Sequence, residues 1–219
     1  MLTARKLTQK ALHEVEMSLR GILRGFGLKI GKVTKKDFEK RIRELATGHA
    51  MLQEIAAAML AARATLLTQF NKLHKAVLDI VRHDEVCRRF MTTPSVGAIV
   101  AITYRSALDD PGRITKSKNA GPLFGLTPSR YQSGETDVTG SITRVGDEMV
   151  RTALYEAANT LLSPRTRFSA LKRWGLEVAK RRGNKRAKVA VARKLAVILH
   201  RMWVDGTTFR WTNTEAAQA

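Results

Sequence analysis

Cysteine is almost missing from this 219-residue chain. Cys87 stands alone, so no disulfide framework is possible and a reducing cytosol fits. Aromatic residues are sparse, at 6%. Long apolar runs are missing too. The uncharged run Met91 to Tyr104 is too short to span a bilayer and is interrupted by Pro94 and Gly97. The N-terminus, MLTARKLTQK, lacks the apolar core of a signal peptide, and the chain reads as cytoplasmic. There is no glycine-rich phosphate loop and no dinucleotide fingerprint. The five histidines (His13, His49, His74, His83 and His200) show no metal-ligand spacing, so the chain offers no metal site of its own.

Acids are also in short supply. Nineteen Asp and Glu face 39 Lys and Arg, leaving a formal charge of +20 and a pI of about 10.8. Hydrophobic residues at 44% and charged ones at 26% are globular values, and the length allows a sizeable core. A surplus of this size favours a polyanionic partner. Nucleic acid is the usual one, ahead of an anionic membrane surface or plain solubility.

The apolar spacing is helical. Leu12, Val15, Leu19, Ile22 and Leu23 form one stripe, broken by the glycines of RGFGLKIGK. A second helix is expected near Thr34, with Asp37 and Glu39 in its first turn and Gly48 at its end. Leu52, Ile55, Met59, Ala62, Leu66, Phe70, Leu73, Val77 and Ile80 then step by three and four. That near-heptad seam fits either an intramolecular hairpin with the first helix or an intermolecular coiled coil. Turns at Thr93–Gly97 and Asp109–Arg113 bracket an apolar helix from Ala98 to Leu108, and a short helix ends near Gly125. Another helix runs from Asp147 to Leu162. Phe168, Leu171, Trp174 and Val178 make one apolar face, and Val189, Ala192, Leu195, Leu199 and Trp203 make the next, with Gly183 and Asn184 between them. The expected fold is mainly α: a helical hairpin or coiled-coil segment over 1–88, a compact helical portion with a long loop over 89–164, a basic helix pair over 165–211, and a disordered tail over 212–219.

Charge concentrates late in the chain. Arg165, Arg167, Lys172, Arg173, Lys180, Arg181, Arg182, Lys185, Arg186, Lys188, Arg193 and Lys194 are opposed by Glu177 alone. Arg186, Arg193 and His200 are seven apart and share one side of a helix whose other side is apolar. A basic face backed by a core face suits a phosphate backbone. The turn Thr93–Gly97 at a helix start adds a weaker phosphate-binding signal.

The long loop, GLTPSRYQSGETDVTGSITRVGD from Gly125 to Asp147, has no helical apolar face. Compact domains rarely keep such a stretch without a function. Ser133 precedes Gly134, with Arg130 before it and Arg144 on the far side of the loop. A serine flanked by guanidinium groups can meet a phosphodiester, although its hydroxyl needs a base or metal to activate it. Spacing alone leaves Ser-Gly a turn far more often than a nucleophile. Asp109 and Asp110 read as a turn. Glu135, Asp137 and Asp147 could assist a metal, but they read better as solvated loop acids and a helix cap.

The stretches MTTPSVGAIVAITYRSALDDPGRI, GLTPSRYQSGE, GSITRVGD, ALKRWGLEVAKR and KVAVARKLAVILHRMWVDGTTFRW together resemble the insertion-sequence one-ten transposase family, the bridge-RNA-guided serine recombinases of bacterial mobile elements. The resemblance covers about Leu2 to Trp211. It implies a transposase that carries out DNA transposition, with a RuvC-like half bearing a quartet of metal-binding acids, a coiled-coil segment and a serine-bearing C-terminal domain. Ser133 in YQSG then matches the serine that attacks DNA and becomes joined to it, and 89–164 is the serine-bearing domain. Arg130, Arg144, Lys116, Lys118, Lys185, Arg186, Arg193 and Lys194 are the candidate DNA- or RNA-binding residues. Magnesium is the cofactor the family uses, with its ligands outside this sequence. DNA, a structured RNA, and a second copy joined through the 52–80 helix are the implied partners, and no membrane is implied. The sequence starts at the helix that follows the RuvC-like half, which predicts a serine-bearing half from a truncated or disrupted element or an internal start. The alternative is a catalytically incompetent nucleic-acid-binding fragment that regulates transposition.

Overall fold

The computed structural model describes residues 1–211; the predicted tail over 212–219 lies outside them. The fold is mainly α, as expected, and divides into one compact unit over Met1–Val77 and a second that begins at Leu78.

In the first unit, α1 (Leu2–Gly25), α2 (Phe38–Ala46) and the long α3 (Ala50–His83) follow one another. Helix α2 starts four residues later than Thr34 suggests. Thr34 and Asp37 instead form a local turn, Thr34 Oγ1 donating to Asp37 Oδ2 at 2.6 Å. Leu19 and Leu23 of α1, Phe38 and Ile42 of α2, and Leu52, Ala56 and Leu60 of α3 share a buried core. Arg63 Nε donates to Glu16 Oε1 at 2.8 Å, and Arg5 Nε to His74 Nδ1 at 3.0 Å. These cross-links descend one helix while ascending the other, so α1 and α3 form the antiparallel hairpin within the chain. The buried line on α3 differs from the expected seam. Ala62 is exposed, and Arg63 takes the inward place because its charge is paired with Glu16 and its guanidinium lies 4.9 Å from the Phe38 ring. Among the described residues α3 is long and apolar enough, by length and composition only, to cross a membrane. Core helices of globular proteins and signal sequences meet the same test.

The second unit adds α4 (Glu85–Phe90), α5 (Ala98–Leu108), short 3-10 turns at Pro111–Arg113 and Ser117–Asn119, α6 (Ala120–Leu123), strands β1 (Pro128–Ser133) and β2 (Thr136–Ile142), α7 (Glu148–Leu161), α8 (Ala170–Arg182) and α9 (Asn184–Asp205). One core runs through residues from Val81 to Phe209. Its spine is α9, whose Val191, Ala192, Leu195, Ala196 and Leu199 are wholly buried. Tyr104 of α5 donates its hydroxyl to the Ala196 carbonyl at 2.7 Å, which satisfies the one polar atom of a buried aromatic side chain. Helices α8 and α9 approach closely at Gly175, where a Cβ would lie 2.7 Å from a Val191 methyl and 2.8 Å from a Leu162 methyl. Substitution there overpacks the junction.

Candidate functional site

The stretch Gly125–Asp147 is not a structureless loop. Its centre is an antiparallel β-hairpin in which Arg130 pairs with Thr139, Tyr131 with Val138, Gln132 with Asp137 and Ser133 with Thr136. Gly134 and Glu135 form the two-residue turn. Gly134 has φ 53°, the positive value such turns require at their first position. The β-branched and aromatic residues Tyr131, Val138, Thr139 and Ile142 suit strands. The sequence hid the hairpin because neither face is buried: only Ser129 and Ile142 of the two strands are even half-covered. A strand wet on both sides shows no apolar alternation.

The feet of the hairpin are fixed from below. Gly125 (φ 63°) and Gly146 (φ 83°) adopt left-handed backbone, and a Cβ on either would strike the opposite foot, at the Val145 backbone and the Leu123 carbonyl respectively. Thr143 donates its amide to the Thr127 carbonyl at 2.9 Å, and Arg144 donates its amide to the Gly125 carbonyl at 3.2 Å. Arg151 of α7 donates from Nη1 to the carbonyls of Phe124 (3.1 Å), Val145 (3.2 Å) and Gly146 (3.5 Å). Asp147 then caps α7 by accepting from the Met149 and Val150 amides. The sequence reading missed Arg151; the two glycines bracketing the stretch were the available signal.

Ser133 is the last residue of β1, exposed at the tip. Strand alternation puts Tyr131, Ser133, Thr136 and Val138 on one face and Arg130, Gln132, Asp137 and Thr139 on the other. Arg130 therefore departs from the opposite face, its guanidinium 3.8 Å from Asp137. Arg144 sits beyond the far end of β2, about 20 Å of strand from the tip at ~3.3 Å per residue. The picture of a serine flanked by both guanidinium groups is corrected on this geometry. Arg144 belongs to the foot of the hairpin, where it holds a positive φ of 58°.

The remaining candidate cations surround α9. Lys116 and Lys118 are exposed on the 3-10 turn at Ser117–Asn119. Lys185 and Arg186 are exposed in the first turn of α9, which has neither a side-chain cap nor an acid. Arg193 is exposed at its tip while its stem lies against Gly121. Lys194 Nζ lies 4.1 Å from the Trp174 ring centre. Two residues of the expected basic surface are not on it. His200 is buried, its Nε2 3.0 Å from the Pro111 carbonyl and its Nδ1 2.9 Å from Ser117 Oγ. The carbonyl can only accept, so Nε2 carries the proton. The segment 111–119 covers this end of α9, and the same helix side that is basic at Arg186 is enclosed at His200. Lys172 is buried because its Nζ donates to the carbonyls of Ser163 (2.7 Å) and Thr166 (2.6 Å), tying down the turn before α8.

The other candidates are accounted for locally. Thr93 is buried with its hydroxyl 3.4 Å from the Met202 sulfur. Asp110 caps a 3-10 turn by accepting from the Gly112 amide. Cys87 is buried; burial first, and then Asp84, push its thiol up to about 12, so it is a neutral core group. Burial likewise raises the Tyr104 hydroxyl above its ordinary value. Among the described residues no three His, Cys, Asp or Glu side chains converge.

The hairpin is anchored on the same helical core that carries the basic helices α8 and α9. Residues 87–173 match the model of the IS116/IS110/IS902 transposase family. The chain is 29% identical over 208 residues to y4pF/y4sB of Sinorhizobium fredii, described as a transposase, with 90% of this chain and 53% of that one covered. It is 26% identical over 200 residues to the transposase for insertion sequence element IS1111A of Coxiella burnetii (88% and 54% covered). It is also 26% identical over 146 residues to the transposase for IS1328 of Yersinia enterocolitica (66% and 43% covered). By these matches residues 87–173 resemble the IS116/IS110/IS902-family transposases, and the chain spans about half the length of the curated relatives it matches.

Proposed function

We propose that this chain supplies the nucleophile and part of the DNA-holding surface of an insertion-sequence transposase. One observation carries the reading: the Ser133 hydroxyl projects from the tip of a hairpin whose feet are locked, so it can reach a phosphate held outside the fold. Oγ attacks phosphorus, a new O–P bond forms, and the bond from phosphorus to one bridging sugar oxygen breaks. The Oγ proton passes to a base, and the displaced oxygen gains a proton. Cations at the head of α9 (Lys185 and Arg186), with Lys116 and Lys118, hold flanking phosphates. An uncapped helix N-terminus favours anions there as well.

Magnesium, a structured guide RNA, action in the cytoplasm and pairing of two copies through the 52–80 helix belong to the same reading. The pairing is supported by the exposed alanines Ala57, Ala58, Ala61 and Ala62 on α3, which leave one face of that helix uncovered. No step is assigned to the metal. The basic run through α8 and α9, with twelve Lys and Arg in 165–194, also fits a second reading, a nucleic-acid-binding fragment that regulates transposition without catalysing it.

The test mixes the chain with an intact relative whose own serine is replaced, and adds duplex DNA carrying an element end. A covalent protein–DNA adduct on a denaturing gel is expected, and Ser133→Ala abolishes it. An adduct that survives the substitution rules out Ser133 as nucleophile. Binding with a log–log salt slope of about −0.9 per phosphate contacted, and no adduct, supports the regulator.

A further inference from the structure

Phe168 was expected to pack as part of the apolar face of α8. It lies instead just before that helix, whose cap is Ser169, and it is 57% exposed. Its ring forms one wall of an open groove of about 540 Å³ that also includes Arg173, Leu176, Glu177, Lys180 and Asn184. That volume falls among small-ligand sites of about 300–1,000 Å³. The Arg173 guanidinium lies 5.7 Å from the ring centre. Two more cations sit over aromatic rings nearby in the sequence, Lys194 over Trp174 and Arg167 over Trp211. The groove also leads to the run Lys180, Arg181 and Arg182 at the end of α8, all exposed.

An exposed aromatic ring interleaved with cations suits a particular ligand. Duplex DNA buries its base faces in the stack and leaves a free ring no base face to stack on. An unpaired nucleotide offers a π-face, and base-on-aromatic stacking works for every base. Glu177 is the one acid against twelve Lys and Arg in 165–194. On a groove wall a carboxylate repels phosphate but accepts hydrogen bonds from base amino groups.

We propose that the Phe168 groove takes an unpaired nucleotide of a looped or single-stranded nucleic acid, its base stacked on Phe168 and its phosphates on Arg173 and Lys180. The proposal rests on the nucleic-acid reading above and adds a strand-state preference to it.

The experiment uses the full chain with hairpin oligonucleotides, one set RNA and one DNA, carrying 2-aminopurine at an unpaired loop position. A fully paired duplex of equal length is the control. Wild-type chain is expected to change the loop fluorophore's emission and to bind the looped probe about tenfold more tightly than Phe168→Ala does, with Phe168→Tyr retaining both. Duplex affinity should be equal in all three. The RNA and DNA arms assign the strand's identity. Duplex binding with an unaltered fluorophore, or equal loss of looped and duplex binding in Phe168→Ala, overturns the groove while leaving the nucleic-acid reading intact. No binding of either probe by wild-type chain overturns both.

Discussion

In the helix pair α8–α9 the candidate binding cations ride on a packed core, whereas in the hairpin β1–β2 the candidate hydroxyl stands on almost none. Leu195 of α9 is wholly buried two positions from the exposed Arg193. Every residue from Arg130 to Ser141 is exposed. An isolated two-stranded ribbon is marginal in water. The order of this one is imposed at its feet, by two left-handed glycines and the three carbonyls gathered by Arg151. The helix pair thus fixes its charges through hydrophobic burial, and the hairpin fixes its serine through backbone geometry. Damage to the first should therefore unfold the unit. Damage to the second should loosen one element and leave the unit standing.

The largest effect expected from this contrast is global. Leu195→Ala leaves a cavity in the core shared by α5, α7 and α9, at a cost of about 2–5 kcal/mol. Urea unfolding followed by circular dichroism measures it. Tyr131→Ala, an equally drastic truncation on the exposed ribbon, should stay within about 0.5 kcal/mol. Similar losses for the two would mean that the hairpin is part of the cooperative core, and the contrast would fail.

A smaller and local effect is expected at the clamp. Arg151→Met keeps the stem but removes the donor to the Phe124, Val145 and Gly146 carbonyls. The cost is about 1–3 kcal/mol, felt as opening of the feet rather than unfolding of the unit. Hydrogen exchange at the Thr143 and Arg144 amides, which bond across those feet, should accelerate about tenfold or more, while amides in the middle of α9 keep wild-type protection. Acceleration throughout both sets would show that Arg151 supports the core as a whole.

The same contrast explains what could be read in advance. Helices α1, α3, α7 and α9 each bury one stripe, so period-3.6 spacing located them to within a few residues. The hairpin buries no face, so its alternation left no apolar trace, and only its glycines marked it. Reading Arg186, Arg193 and His200 as one basic side followed from helical geometry. It went wrong at His200 because burial depends on what lies over a helix, here the segment 111–119. Lys172 went wrong for a similar reason: a buried amine is tolerable only where carbonyls converge on it, and the Ser163 and Thr166 carbonyls are brought together by tertiary structure. Ser133 could be singled out by resemblance to a family motif. Its separation from Arg144 needed the strand register.

The smallest expected effect concerns the ion pair at the tip. Arg130 and Asp137 are 3.8 Å apart with their side chains 64% and 50% exposed. Pairs this open couple by about 0–0.5 kcal/mol, because water screens both charges and two long side chains must be held still. A double-mutant cycle with Arg130→Ala and Asp137→Ala should therefore return almost no coupling in folding stability. DNA binding is a separate quantity. If Arg130 holds phosphate near Ser133, removing the competing carboxylate frees the guanidinium, and Asp137→Ala should tighten binding and steepen its salt dependence, whereas Arg130→Ala should weaken and flatten it. Equal affinities for both variants would show that the reverse face of the ribbon does not meet the backbone. A substantial coupling in stability would mean that the hairpin holds itself together from the tip as well as from its feet.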